Sequence, residues 1–536
     1  MAAASTATPA LADPARFGTY LEARVAADAG ADERASRRFA ALLAAEPGSM
    51  LIAQRALEHG MAAGDWPLAL QAARRLDKAG KLPPLRRILL AAEALRTRDW
   101  AGVQRETDKI EREKIISLMV PMLRAWRAYG MRSGDPAAAL AAMDAGPTSG
   151  YAVEHRALLE LASGRGDGAA FLAFDPASGL RAQHLRLVAA AEFAARRDKA
   201  KALALVAGDQ PALVAARQLI EAGRPLPARI DTAAEGFAEF LSRVAIDFSQ
   251  QQLGREGVIL ARLASHLAPQ STQPVMIAAE LMAEREPAAA ARLLQLVGDA
   301  SPFAQGAREI RLAHLARSGQ APAALREVTA RTSGGSRDPA DWIQLGNLHA
   351  DADRHAEAAR AFTRAHELWK AGRYPGISEW SLWLMRGGAL EQGGKWPEAR
   401  AALREAYRLA PTEPLVLNYL GYAQLDRGEE LEASERLIRE ALRRAPDSAA
   451  ITDSLGWALY KSGRVDEAIP VLERAARGEP ADVEINEHLG DAYYSAARRI
   501  DARFAWRAAL THAEGEAAER LRGKIERGLA PQIARR

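Results

Sequence analysis

Ten histidines and a few glycine-rich turns are the residues of this 536-residue sequence that could do chemistry. Cysteine, the other residue to consider, is absent. The lack of cysteine excludes disulfides, thiol nucleophiles and thiolate metal sites. His349 and His355 lie on either side of a predicted helix boundary, which is poor spacing for a shared metal ion. Gly393-Gly394-Lys395-Trp396 lacks the earlier glycine and the following serine or threonine of a phosphate-binding loop. We therefore expect no catalytic site, no metal site, no cofactor and no enzyme activity.

A second set of residues has the types and spacing expected of a peptide-binding surface. Polar and aromatic residues flank a series of glycines at intervals of three or four, which places them on one helix face. Asparagine can donate to and accept from an extended peptide backbone, while tyrosine and tryptophan add contact area with a polar tip. This set, named the strip, comprises Asn347, Asn418, Tyr422, Asp453, Trp457, Tyr460, Glu487, Asp491 and Tyr494.

The strip is predicted to line the concave side of a repeat array and to hold a peptide or partner protein there. Solvent-facing side chains contribute little to packing, so a triple change of Asn418, Asp453 and Asp491 to alanine is expected to weaken partner binding and to leave stability nearly unchanged. The alternative is that the aromatic members, such as Tyr422 and Trp457, only pack between helices.

The elements that must position the strip are repeated helix pairs. The repeat is marked by Gly346, Gly387, Gly421, Gly456 and Gly490, which are separated by 41, 34, 35 and 34 residues. A small–large–small triplet follows each glycine, as in Ala468, Leu472 and Ala475. This pattern places the large residue of a second helix beside the glycine of the first, so that the two helices approach closely.

The same period continues more faintly toward the N terminus. An aspartate follows each predicted inter-helix turn, at Asp65, Asp99, Asp135, Asp167 and Asp198. Aspartate in this position can cap the helix that follows. The repeat period is interrupted between Gly208 and Gly254, where residues 223–231 form a predicted joint. Residues 333–339, farther along the chain, form a second predicted joint.

These patterns predict an all-α fold, a right-handed superhelical solenoid of tetratricopeptide-type helix pairs. The step of 34 residues is typical of that repeat, as is Trp342-x-x-Leu345-Gly346. The predicted organisation is a flexible tail at 1–14, degenerate helical repeats at 15–222, an irregular joint with further degenerate repeats at 223–337, five well-formed units at 338–515, and a capping helix with a tail at 516–536.

Charge and hydropathy favour a protein-binding scaffold. The chain has 72 Lys and Arg against 68 Asp and Glu, with no window of five or six like charges. No apolar run approaches 18 residues, so we expect no transmembrane segment. The N-terminal residues lack the basic start and apolar stretch of a complete signal peptide. The alternative is a basic helical-repeat protein that binds RNA or an anionic envelope polymer, which would need arginines concentrated on one face.

The sequences of the repeats resemble those of a group of proteobacterial tetratricopeptide-repeat proteins. The resemblance rests on Leu417-Asn418-Tyr419-Leu420-Gly421-Tyr422, Asp453-Ser454-Leu455-Gly456-Trp457-Ala458, Ile485-Asn486-Glu487-His488-Leu489-Gly490-Asp491, Gly236-Phe237-Ala238-Glu239 and the ending from Lys524-Ile525 to Gly528-Leu529. Members are commonly exported, many as envelope lipoproteins, and one relative is an adaptor that brings substrates to a periplasmic carboxyl-terminal processing protease.

The resemblance implies a non-catalytic scaffold or adaptor in the periplasm or cell envelope, with the cytoplasm as the alternative location. The implied partners are proteins or peptides, among them a processing protease and its substrates; nucleic acid is not expected. The strip has none of the paired lysines and arginine that hold a terminal carboxylate in chaperone-binding tetratricopeptide domains. We therefore do not expect recognition of a free C terminus by such a clamp.

Overall fold

The fold is all-α, as the repeat pattern predicts. A computed structural model describes residues 14–251, 253–372, 374 and 376–529, and within these ranges the chain forms helices and no strand. None of the described helices is both long enough and apolar enough to cross a membrane. Of the two predicted tails, residues 1–13 and 530–536 lie outside the described residues.

The chain divides into two compact units, Met1–Ala324 (unit 1) and Leu325–Arg536 (unit 2). The helices of unit 1 are α1 (Pro14–Asp28), α2 (Asp32–Ala45), α3 (Met50–Ala63), α4 (Trp66–Lys78), α5 (Ile88–Arg96), α6 (Trp100–Glu113), α7 (Met119–Met131), α8 (Ser149–Ala162), α9 (Ala169–Leu172), α10 (Leu180–Ala195), α11 (Lys199–Leu205), α12 (Pro211–Glu221), α13 (Ala233–Gln250), α14 (Gly254–Leu267), α15 (Gln273–Met282), α16 (Pro287–Leu294) and α17 (Ala304–Leu315). Helix α18 (Ala321–Ser333) spans the division.

The helices of unit 1 begin at the turns that the sequence marks. The predicted aspartate caps are confirmed: Asp65 accepts from the Leu68 N–H, Asp99 from the Gly102 N–H, Asp135 from the Ala137 N–H, Asp167 from the Ala169 N–H and Asp198 from the Lys201 N–H. Each carboxylate satisfies a backbone donor that the first turn of a helix leaves unpaired. The turns are therefore fixed locally, even where the repeat pattern is faint.

Unit 1 is not a simple row of neighbouring pairs. Helices α13 and α14 pack back against α3, α5, α7 and α8, far earlier in the chain. Arg262 Nη1, for example, donates to the Ala63 carbonyl oxygen at 2.9 Å. The predicted joint at 223–231 is a loop inside unit 1, and the one at 333–339 is a loop inside unit 2. Neither loop coincides with the division between the units.

The mid-chain block Gly236-Phe237-Ala238-Glu239 has a structural role in α13. A side chain at Gly236 would collide with the Trp126 ring, so only glycine permits this approach. The buried Glu239 carboxylate is ion-paired with Arg181 and lies 2.9 Å from Nε2 of His184. Because burial of an unpaired charge is costly, these partners are what allow Glu239 to sit in the core.

Unit 2 contains five helix pairs, each made of a first and a second helix, and a final helix. The pairs are α19 (Pro339–Ala350) with α20 (His355–Ala371), α21 (Glu379–Gln392) with α22 (Trp396–Leu409), α23 (Pro414–Asp426) with α24 (Leu431–Arg444), α25 (Ala449–Lys461) with α26 (Val465–Gly478), and α27 (Val483–Ser495) with α28 (Arg499–His512), followed by α29 (Gly515–Arg527).

The predicted contact between glycine and a large residue holds each pair together. A Cβ atom at Gly456 would lie 2.5 Å from Cγ of Leu472. The equivalent contacts join Gly346 to Phe362, Gly387 to Leu403, Gly421 to Ile438 and Gly490 to Trp506. The triplet spacing therefore does what the sequence predicts: it lets the second helix lie directly on the first.

Candidate partner-binding strip

All nine strip residues lie on the first helices of unit 2, but their exposure differs from the prediction. Asn347 is exposed on α19, and Asn418, Tyr422 and Tyr494 are half-buried. The remaining members are between 3% and 9% exposed: Asp453, Trp457, Tyr460, Glu487 and Asp491. The expectation that the three acidic residues face solvent is wrong, because side chains of neighbouring helices cover them. The burial of Trp457 and Tyr460 agrees with the alternative that aromatic members pack between helices.

Side chains of the first helices α23, α25 and α27 are joined across the strip. Tyr422 Oη donates to Glu484 at 2.9 Å, and Tyr460 Oη lies 3.0 Å from Oγ of Ser495. Burial, reinforced by the Glu484 carboxylate, raises the pKa of Tyr422, so the phenol stays protonated and remains a donor. These contacts bring α23, α25 and α27 onto one side of unit 2.

The centre of the strip is an aromatic stack on a charged pair. His488 Nδ1 lies 2.9 Å from Asp453 Oδ2, and the imidazole ring stacks on Trp457, which in turn stacks on Tyr460. Burial alone would lower the pKa of His488, but the Asp453 carboxylate, with Glu484 farther off, outweighs burial and raises it. The centre of the strip therefore favours an imidazolium held between a carboxylate and an aromatic face.

The C-terminal end of the strip is occupied by the chain itself. Arg520 of α29 makes two parallel 2.8 Å hydrogen bonds to Glu487. Lys524 lies 2.6 Å from Glu487 and 2.7 Å from Asp491. Burial opposes ionisation of Glu487, yet Arg520 and Lys524 bring its pKa down to about 2. Lysine and arginine are thus present at the strip, contrary to expectation, but both are engaged by acidic side chains of the chain itself.

These pairs also overturn the expectation that alanine would be harmless at the acidic positions. Asp491 accepts hydrogen bonds from Lys524 and from the Trp506 indole, whose Nε1 lies 2.9 Å from Oδ1. Without Asp491, Lys524 would keep only Glu487 as its partner, and the buried Trp506 N–H would lose its acceptor, which costs about 1–3 kcal/mol. Alanine at Asp491 is therefore expected to destabilise unit 2.

The N-terminal side of the strip differs from its C-terminal end, because two of its acceptor atoms stay unpaired among the described residues. Asn418 Oδ1 and Asp453 Oδ1 are buried acceptors without a hydrogen-bond partner among the described residues. One turn before Asn418, Leu415 is 60% exposed. Two unsatisfied acceptors beside an exposed apolar side chain can bind a donor-bearing segment, and we name Leu415, Asn418, Tyr422 and Asp453 the open end. No group of metal-binding side chains occurs among the described residues.

The sequence pattern did not select several residues that complete the strip: Glu484, His488, Ser495, Arg520 and Lys524. A signal was present for two of them. His488 and Lys524 stand inside the blocks that carry the family resemblance. Arg520 and Lys524 also follow Glu487 and Asp491 by 33 residues, so α29 continues the positions of the first helices.

Helix pairs that stack through a glycine and carry a polar–aromatic strip define a helical-repeat protein of the kind that binds other proteins. A family model described as tetratricopeptide repeat matches residues 343–414, 418–483 and 454–518. The matched residues of unit 2 are therefore similar to tetratricopeptide repeats. The three matches together cover about a third of the chain.

One curated relative is the cytochrome c-type biogenesis protein CycH of Pseudomonas aeruginosa, which is 32% identical over 119 residues. The match covers 21% of this chain and 28% of that protein, so the chain spans less than a third of the relative's length.

Solved structures of low sequence identity also align with the chain. The Cut9–Hcn1 hetero-tetramer of the APC/C gives 16% identity over 96% of both chains, with a TM-score of 0.38. A tetratricopeptide repeat protein from Parabacteroides merdae gives 12% identity over 54% of this chain and 97% of its own, with a TM-score of 0.36. MamA from Desulfovibrio magneticus gives 15% identity over 33% and 96%, with a TM-score of 0.27.

Proposed function

We propose that this protein is a non-catalytic scaffold that holds a segment of a partner protein against the open end of the strip. The observation that carries the proposal is the pair of buried, unsatisfied acceptors, Asn418 Oδ1 and Asp453 Oδ1. A buried acceptor without a partner costs about 1–3 kcal/mol. A bound segment that donates N–H groups to both oxygens would remove that cost, so its binding at the open end would be favourable.

The open end also indicates what the bound segment carries. Both unsatisfied atoms are acceptors, so the segment must supply donors, from its backbone or from lysine or arginine side chains. Leu415 offers apolar area next to these acceptors, and the half-buried Tyr422 ring adds an aromatic edge. A segment with an apolar residue close to a donor group fits this surface best.

We place the scaffold in the cell envelope, within a protease or assembly complex. The support for this placement is the resemblance of residues 417–422, 453–458 and 485–491 to exported tetratricopeptide adaptors. The name of the Pseudomonas aeruginosa relative, a cytochrome c-type biogenesis protein, fits a role in assembly. A carboxyl-terminal processing protease and its substrates are the first partners to test.

The test is site-directed photo-crosslinking in native envelope extracts. A photoreactive amino acid replaces Leu415 at the open end, or Arg436, whose side chain is 72% exposed on the second helix α24. We expect a discrete partner to cross-link from position 415 and not from position 436. Asn418→Ala should reduce the yield from position 415 about tenfold, since one hydrogen bond in a desolvated site contributes roughly 1.4 kcal/mol.

The control keeps binding separate from folding. Asn418 makes no side-chain hydrogen bond that the described residues show, so Asn418→Ala should unfold at the same temperature as the unchanged protein. Asn347→Ala makes the same chemical change at an exposed position on α19 and shows whether the site extends that far. Undiminished cross-linking by a stable Asn418→Ala variant would refute the proposed site.

A further inference from the structure

Unit 1 contains a cleft of about 820 Å³ that is lined by turns between neighbouring helices. Arg98, Arg132 and Arg165 line the cleft, and all three are exposed. They come from the turns that follow α5, α7 and α8. The volume is within the range of about 300–1,000 Å³ that is usual for ligand sites.

The backbone at two of these arginines is in an unfavourable conformation. Arg98 and Arg132 have φ angles of 58° and 50°, in the left-handed region that glycine adopts most easily. At the equivalent turns of unit 2, Gly394, Gly428 and Gly463 supply the positive φ in three, and Asp353 and Ala497 supply it in the other two. A non-glycine residue in this region costs about 1–2 kcal/mol, so glycine fits these positions without strain.

The three arginines have no partners of their own. Their side chains make no ion pair or hydrogen bond with the part of the chain that the structure describes. Arg96, a fourth arginine at the cleft, differs, because Glu93 holds it through two 2.8 Å hydrogen bonds. Guanidinium groups that line one cleft and have no ion-pair partners there can bind anionic groups.

The acidic residues that line the cleft indicate which kind of anion fits. They are Asp231 and Glu235, but both carboxylates are engaged. Asp231 is paired with Arg229 at 3.0 Å, and Glu235 accepts the backbone N–H groups of Asp231 and Thr232 at 2.7 and 2.8 Å. A nucleic-acid strand, with a charge on every nucleotide, would meet repulsion from these carboxylates. A peptide can place carboxylates near the arginines and backbone N–H donors near the acidic residues.

We infer that the cleft between the turns of Arg98, Arg132 and Arg165 is a second binding site, which takes an acidic segment of a partner protein. Carboxylates of the segment pair with the three guanidinium groups, which can hold them by two parallel hydrogen bonds each. The site lies wholly in unit 1 and shares no residue with the strip of unit 2. The two sites can therefore be tested separately.

The experiment is fluorescence anisotropy of the full chain with a labelled octapeptide of alternating glutamate and serine. The control peptide replaces glutamate with glutamine, and a single-stranded RNA decamer tests the competing ligand. Arg98→Gly and Arg132→Gly should each weaken binding of the acidic peptide about tenfold or more, since one charge-assisted contact is lost. Binding should also weaken as salt is raised, because the contacts are exposed.

Glycine is the informative substitution because it fits the observed backbone. Both variants should unfold at or above the temperature of the unchanged protein, so lost binding cannot come from misfolding. Arg197→Gly is the matched control: Arg197 has a φ of 65° in the same kind of turn but does not line the cleft. Its peptide affinity should change less than twofold, and Asn418→Ala in the strip should have no effect.

Three results would overturn the inference. The first is no binding of the acidic peptide, or equal binding of the glutamine peptide. The second is an equal loss of affinity in Arg197→Gly and Arg132→Gly. The third is tighter binding of the RNA decamer than of the acidic peptide, which would make the cleft a nucleic-acid site. Failure of the strip to bind a partner would leave all three of these comparisons unaffected.

Discussion

The imidazole of His488 lies flat against the indole of Trp457, with ring centroids 3.9 Å apart and planes 12° from parallel. The two residues belong to successive first helices, α27 and α25. Asp453 holds the imidazole edge through Nδ1 at 2.9 Å. A cation on an aromatic face and beside a carboxylate is stabilised by both neighbours. The stability of unit 2 therefore depends on the charge of His488.

That coupling predicts a pH dependence of stability. The pKa of His488 lies above its ordinary value of 6.5, because the acidic neighbours Asp453, Glu484 and Asp491 outweigh burial. The stabilisation is complete below the unfolded-state pKa and is lost as pH rises through the folded-state pKa. Thermal unfolding of unit 2, followed by circular dichroism, should therefore occur at a lower temperature at alkaline pH than at a pH below 6.5.

The matched variants are His488→Gln and His512→Gln, the second at an exposed histidine on α28. His488→Gln should flatten the dependence on pH between these values, and His512→Gln should retain it. A slope that survives in His488→Gln would assign the effect to another group.

A second pH dependence, in unit 1, arises from Glu286. Burial, with repulsion from Asp32 and Glu33, raises the pKa of Glu286 to about 7. The folded state therefore favours the protonated acid. This contribution is fully present below the ordinary pKa of 4.5 and is lost as pH rises toward and through 7. Ionised Glu286 should destabilise unit 1 at higher pH.

Glu286→Gln should consequently stabilise unit 1 at about pH 8 and have little effect at about pH 4.5. Since Glu286 is only half-buried, solvent screening reduces the gain to about 1 kcal/mol. Urea unfolding at the two pH values measures the difference, with Glu284→Gln at a neighbouring exposed position as the control. An equal gain for both variants at pH 8 would show a general charge effect instead.

The contact between Gly456 and Leu472 predicts a large loss of stability on substitution. In Gly456→Leu, even the Cβ atom would lie 2.5 Å from Leu472 Cγ, and the rest of the side chain has no space. Overpacking of this kind costs about 3 kcal/mol or more. Urea unfolding of unit 2 should show the loss. Gly306→Ala on α17, where no atom lies within 4 Å of the added Cβ, should be neutral or stabilising. A small loss of stability in Gly456→Leu would mean that helices α25 and α26 can move apart at little energetic cost.

The helix pairs and their caps could be predicted because their determinants are local. A glycine and the large residue that covers it are close in sequence, as are Gly456 and Leu472 at 16 positions, and most of these glycines recur at steps of 34 or 35 residues. Aspartate caps act within three residues, so Asp99 reports its helix start even where the repeat is degenerate. Neither feature depends on how distant parts of the chain meet.

The burial of the strip could not be predicted, since it depends on pairs between different repeats. Tyr422 reaches Glu484 over 62 residues, past an entire helix pair, and no single repeat encodes that contact. The return of α13 and α14 onto α3, α5, α7 and α8 is likewise invisible in a 34-residue pattern. A regular array implies contacts between neighbours only, and unit 1 departs from that rule.

The sequence also predicts that a fragment starting near Asp338 folds alone, and the structure indicates a better starting point. The second half of α18 packs onto α19 through Arg331, which lies 3.1 Å from Asp341 and 2.9 Å from Gln344. Val328 and Thr332 of the same helix are buried. A fragment from 338 would expose the surface that these residues cover.

We therefore expect residues 321–536 and residues 338–536 both to give helical circular dichroism spectra, with the longer fragment more stable by about 2–4 kcal/mol. The difference comes from the apolar area and the charged hydrogen bonds that α18 contributes. Urea unfolding of the two fragments measures it. In the longer fragment, Arg331→Ala should lower the free energy of unfolding by part of this difference. Arg326→Ala, at a position for which the described residues show no such pairs, should leave it unchanged. Equal stability of the two fragments would show that α18 adds nothing to unit 2. An unfolded shorter fragment would instead show that the five helix pairs need α18 in order to fold.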